Sequence, residues 1–258
     1  MNNNNSPRLL QAANVAAFAG VLVVNTLAST VGINGMLTGS VSDGIPNLFV
    51  PAGLTFSIWG LIYVLLLLFN VWQFTQSSSP AVGRVGWLFV LSSAANVGWL
   101  LLWHYKLTVL SLAAMLVLLA SLIAIYVRLG IGRESTAERW FAHVPFSVYL
   151  GWITVATIAN ASAVLVTLGW DGFGVAPEVW TIVVMAAAVL ITAAALLTRR
   201  DAFYALVVAW AFAGIALKRS ADSSPAGRVV YIAAIVCGAA VATGILALAV
   251  RTILRRRA

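Results

Sequence analysis

The stretch Pro46–Tyr63, PNLFVPAGLTFSIWGLIY, reads as an irregular loop that runs directly into an apolar helix. Pro46, Pro51 and Gly53 punctuate the loop, and a run dominated by apolar residues continues to about residue 75. Trp59 and Tyr63 are four residues apart, so their rings share one helix face, one turn apart. Bilayer-spanning helices concentrate Trp and Tyr at headgroup level. These two lie well inside the run, which reads as rings lining something within a bundle.

The rest of the chain is apolar to the same degree. Of 258 residues, 62% are hydrophobic and 9% charged, with a mean hydropathy of +1.00. Runs of about 17–25 apolar residues, the length that crosses roughly 30 Å of hydrocarbon, recur throughout. In lipid each run must be helical, because an open strand edge leaves backbone groups unpaired. The expected fold is an all-α, polytopic transmembrane bundle of eight helices, at about 10–31, 51–75, 84–104, 107–128, 144–167, 179–198, 202–217 and 229–250. The seventh is the shortest and is bracketed by Arg199-Arg200-Asp201 and Lys218-Arg219, so full spanning is left open there. Residues 1–9 read as a polar tail, disordered over Met1–Ser6. The run Leu10–Val31 is longer than a signal-peptide core and reads as the first transmembrane helix. The loop Gly32–Val50 is long enough to fold back as a cap over a cavity mouth.

The net charge of +8 does not mark a nucleic-acid binder, because the cations punctuate helix ends rather than share a face. With the N-terminus inside, the inner set is Arg8, Arg84, Arg128, Arg133, Arg139, Arg199, Arg200, Arg251, Arg255, Arg256 and Arg257. The outer set is Lys106, Lys218, Arg219 and Arg228. Eleven against four predicts N-in/C-in, in a bacterial plasma membrane, with the lipid bilayer as partner. Three of the four exceptions flank the seventh helix. All seven carboxylates fall in loops or at helix ends, which disfavours ion-coupled transport. Cys237 is alone inside the last apolar run, so neither a disulfide framework nor a thiolate metal site is expected. His104 and His143 fall at helix ends and read as interfacial polar residues. HExxH, GxSxG and CxxC do not occur, and no catalytic or metal-ligating residue is assigned.

Two constellations remain. The third helix carries Asn96-Val97-Gly98-Trp99 and then Trp103; the fifth carries Tyr149, Trp152, Ala156, Thr157 and Asn160. An amide at mid-depth must be paired or lose its hydration uncompensated. Asn96 therefore reads either as glue between helices or as a polar contact to a ligand in an apolar pocket. Three helices each bringing a Trp and a polar or phenolic partner can enclose a flat apolar ligand, since aromatic side chains provide stacking area.

These motifs resemble the tryptophan-rich sensory protein/translocator protein family. Phe56, Ile58-Trp59 and Ile62-Tyr63 match its second helix in order and spacing, Asn96 to Trp99 its third, and Trp152, Ala156-Thr157 and Asn160 its fifth. The resemblance covers about residues 10–168 and implies a five-helix bundle there, with residues 178–258 adding three helices. It implies a pocket for a flat hydrophobic ligand such as a porphyrin or a sterol, lined by Trp59, Tyr63, Asn96 and Trp152, with Trp99 and Asn160 as further candidates. No cofactor is implied beyond porphyrin as a ligand. The function expected is a membrane sensory or binding protein. The alternative is an uncoupled permease for a small apolar or amphipathic solute. Tryptophan-assisted porphyrin breakdown is the one enzymatic version left open. Gly238 and Gly244 support close helix contact, within the chain or in a homodimer.

Overall fold

A computed structural model describes residues 5–76, 79–132 and 136–257. Among them the chain is helical, with no β-strand. Eight long helices follow in order: α1 (Asn5–Thr30), α2 (Ile58–Thr75), α3 (Leu88–His104), α4 (Thr108–Leu129), α5 (Val144–Thr167), α6 (Pro177–Ala194), α7 (Ala202–Ser220) and α8 (Pro225–Arg257). Seven are long and apolar enough to cross a bilayer, and α3, at 17 residues, is the shorter eighth. The chain is a polytopic helical membrane protein.

Helix ends depart from the expected ones for local reasons. Helix α1 begins at Asn5, so residues 5–9 are not part of a tail; Pro7 falls in its first turn, where a missing N–H costs nothing. Met1–Asn4, expected to be disordered, lie outside the described residues, as do Arg133 and Glu134. The expected helix 84–104 is broken in two. A short helix, Pro80–Val85, is capped by Ser79 Oγ accepting from Ala81 N–H, and Gly86 at φ 49° turns the chain before α3 begins. A π-helical turn, Arg139–His143, leads into α5, and another, Ala195–Arg199, ends α6.

Two compact units divide the contacts: Met1–Ile45 with Ile58–Ile153, and Pro46–Ser57 with Thr154–Ala258. In the first, α3 packs along α4 and α1 lies on α3. Fully buried Met115, Leu118, Leu122 and Ile125 form the inner stripe of α4 at helical spacing. Phe69, Phe89 and Phe146 pack with centroids 5.1 to 6.0 Å apart. Beside them is a buried amide cluster absent from the sequence reading. Gln11 Nε2 donates to Gln73 O at 2.7 Å, Asn14 Nδ2 to Gln73 Oε1 at 3.0 Å, and Gln73 Nε2 to Asn70 Oδ1 at 3.2 Å. Two amides three residues apart on α1 thus meet two three apart on α2. Further along, the loop after α1 turns back onto the end of α3. Asn34 Nδ2 donates to His104 O, and Thr38 Oγ1 lies 3.3 Å from His104 Nε2. His104, the last residue of α3, is therefore fully buried.

In the second unit α7 packs along α8, which also lies beside α6. Helix α7, the one left open by the sequence, has a full 19 residues. Asp201 caps it, its Oδ1 accepting from the backbone N–H of Phe203 and Tyr204 at 3.0 and 3.1 Å. Helix α7 also receives the proline-punctuated loop. Ala52 N–H donates to Gly214 O at 3.0 Å and Trp210 Nε1 to Thr55 O at 3.0 Å, while Asn47 Nδ2 reaches Ala159 O of α5 at 3.0 Å. A Cβ at position 214 would overlap the Thr55 side chain, so only glycine lets the loop approach this closely.

Gly214→Ala is expected to lower stability by about 1–3 kcal/mol through overpacking against Thr55. Gly238→Ala, whose new methyl meets Phe212 Cβ at an ordinary 3.6 Å, is expected to be neutral or slightly stabilising. Thermal unfolding of both variants in detergent checks the contrast.

Candidate functional site

Trp59 is the hub of the first unit's second aromatic cluster. It enters in the first turn of α2, directly after the 3₁₀ turn Gly53–Ser57. Tyr63 stacks on it at 5.7 Å and 23°, as the four-residue spacing requires. Trp99 of α3 stacks on it at 6.4 Å and 26°. Tyr149 and Trp152, both from α5, meet it edge-on at 6.1 Å and 6.3 Å. Three rings with small interplanar angles form a platform, and two edge-on rings wall it. Offset and edge-to-face pairs are the arrangements the ring quadrupole favours. Trp99, Tyr149 and Trp152 are buried, whereas Trp59 and Tyr63 are only partly covered.

Beneath the rings runs a chain of polar contacts. Asn25 Nδ2 of α1 donates to Asn96 Oδ1 at 2.9 Å, and Asn96 Nδ2 donates to the Tyr149 hydroxyl at 3.1 Å. Asn96 is fully buried, and its amide ties α1, α3 and α5 together. Of the two readings of Asn96, these bonds are the ones between helices. The indole N–H of Trp99 is buried without a hydrogen-bond acceptor.

Five of the six residues singled out by sequence therefore come together: Trp59, Tyr63, Trp99 and Trp152 by ring contact, and Asn96 through Tyr149. Asn160 is buried two turns beyond Trp152 along α5 and belongs to the second unit. Trp59 and Trp152 meet edge to face, Trp152 buried and Trp59 only partly covered. Sequence reasoning missed Asn25. The available signal was a lone amide inside the apolar run Val21–Leu27, which must find a partner. Among the described residues, no group of three His, Cys, Asp or Glu side chains converges to hold a metal ion.

A membrane-spanning helical chain whose aromatic platform is joined to buried amides has the make-up of a membrane binding or sensory protein. The family model described as TSPO-like protein matches residues 11–247, and the chain belongs to that family. The match continues through α6 and α7 and into α8, beyond residue 168 where the recognisable motifs stop. No curated protein and no solved structure matches the chain.

The Asn25–Asn96 bond is testable by a double-mutant cycle with Asn25→Leu and Asn96→Leu. Coupling of about 0.6 kcal/mol, the average for polar pairs between transmembrane helices, and not above roughly 1.7 kcal/mol is expected in reversible unfolding.

Proposed function

We propose that this protein binds a flat, hydrophobic, ring-containing ligand, of which a porphyrin is the best-fitting chemical type, on the face of the Trp59–Tyr63 platform. The observation that carries this reading is the platform itself: near-parallel, partly uncovered rings backed by the buried Trp99 and walled by Trp152. A flat ligand laid on it exchanges lipid contact for stacking, worth about 0.5–1.5 kcal/mol per ring pair beyond area burial. Asn96 acts by positioning: its bonds hold Tyr149 edge-on to Trp59. The amides and phenols offer no charge to compensate an ionised group, so the ligand's core is neutral and its charged substituents face the headgroups. Binding without turnover, in an N-in/C-in bacterial plasma-membrane protein, is the reading adopted.

The test is a titration of the purified protein with protoporphyrin IX, followed by tryptophan quenching. Trp59→Ala and Trp152→Ala are each expected to weaken binding about three- to tenfold. Trp87→Phe, at an exposed position remote from the cluster in sequence, should leave the curve unchanged. Identical curves for wild type and both cluster variants would reject the platform as the binding surface.

A further inference from the structure

The α5–α6 connection, residues 168–176, joins two of the apolar spans, Arg139–Thr167 and Pro177–Arg199, so it lies at one face of the bilayer. It is a closely bonded turn. Gly169 ends α5 at φ 69°, its N–H donating to Val166 O and that of Trp170 to Leu165 O, both at 3.0 Å. Asp171 Oδ1 accepts from Phe173 N–H at 2.9 Å, and Val175 N–H donates to Gly172 O at 3.1 Å. Trp180 Nε1, in the first turn of α6, donates to the same carbonyl at 2.9 Å, and the Trp170 and Trp180 rings pack at 5.2 Å. The loop is thus held at the level where α6 begins.

Phe173 is the exception to this closed packing. Its backbone is left-handed, at φ 56° and ψ 32°, a conformation that strains a bulky residue and that Gly or Asn adopts readily. Its ring meets Trp170 edge-on at 5.4 Å, yet the residue is 79% exposed. The chain therefore holds a phenyl ring outward, at a backbone cost that its own contacts do little to offset. Leu168 and Val175, before and after it in the same loop, are exposed as well. No Lys or Arg occurs between Val144 and Thr198, and the charged residues of that interval are Asp171 and Glu178.

We propose that the α5–α6 loop is an interfacial anchor that sets Phe173, with Leu168 and Val175, into the boundary between lipid headgroups and acyl chains. Depth, composition and charge agree on this partner. The span Pro177–Arg199 has 23 residues; at 1.5 Å per residue it is about 34 Å long, slightly more than the roughly 30 Å hydrocarbon core. Its first turn, with Trp180, therefore falls at headgroup level, and Gly172 is bonded to that turn. Partly covered Trp170 and Trp180 are the residue type that settles in this layer. A phenyl ring inserted beside them leaves water for an apolar environment, which offsets the left-handed backbone. The negative loop offers nothing to an anionic partner. A soluble partner would need the tip to stand clear of the lipid, whereas the bond to Trp180 keeps it beside the start of α6.

The test is a depth measurement on the full-length protein in phosphatidylcholine vesicles. Cys237→Ala removes the sole native thiol, and Val175→Cys receives a nitroxide label beside the ring. Collisional access of the label to oxygen, which concentrates in lipid, is compared with access to a water-soluble nickel chelate. With Phe173 in place, oxygen access is expected to be the greater, at a depth of about 5–10 Å into the headgroup–acyl boundary. Phe173→Asn, which keeps the left-handed backbone and removes the ring, is expected to shift the label toward water, with nickel access now the greater. Thermal unfolding in detergent confirms that this variant folds. A label that reports water while Phe173 is present overturns the proposal, as does an unchanged depth in the folded Phe173→Asn variant. A label shielded from both reagents also overturns it, because the loop is then covered by protein.

Discussion

An amide in hydrocarbon has only other protein groups to bond, and the arrangement of the first unit follows from that constraint. Asn96 reaches Asn25 on one side and Tyr149 on the other, so one side chain sets the relation of three helices. Tyr149 held in this way meets Trp59 edge-on, and Trp152, one turn along α5, meets it as well. The aromatic platform therefore depends on bonds in which its own rings play little part. Helix α1, which contributes no ring to the platform, is pinned at a second depth by Gln11 and Asn14 against Gln73. Polar pairs of this kind add modestly to stability in a membrane, but they fix rotation and register, which uniform lipid-like packing does not.

The two aromatic clusters along α2 differ in composition and in cover. Near its end, Phe69 packs with Phe89 and Phe146, all fully buried and without a polar atom. Near its start, Trp59, Tyr63, Trp99, Tyr149 and Trp152 each carry a polar handle, and two of them remain partly uncovered. The first is a core. The second keeps uncovered ring surface and is tied to the buried Asn25–Asn96 pair through Tyr149.

The second unit has a different economy. Its loop approaches α7 through a glycine and a tryptophan N–H, and its longest helix, α8, is the least covered of the seven candidate spans. Small residues along α7 and α8 bring the helix axes together and leave an open-sided apolar groove between them. The match to the TSPO-like family extends over these helices as far as residue 247.

Apolar run length was sufficient to establish the helical membrane class and the eight helices, because hydrocarbon admits few other ways to satisfy a backbone. Spacing alone put Trp59 and Tyr63 on one face of helix two, and motif order placed Asn96 and Trp99 on helix three and Trp152 on helix five. Helix ends were less legible: Gly86 breaks a run that reads as continuous, and α1 starts before its polar residues end. What no one-dimensional pattern contained was the partner of each polar group. Asn25 is 71 positions from Asn96, Gln11 is 62 from Gln73, and Trp210 is 155 from Thr55. Periodicity reports which face of a helix is apolar, whereas these bonds depend on which helices become neighbours and at what rotation. That choice is made by packing many side chains at once, and the assembled protein is where it can be read.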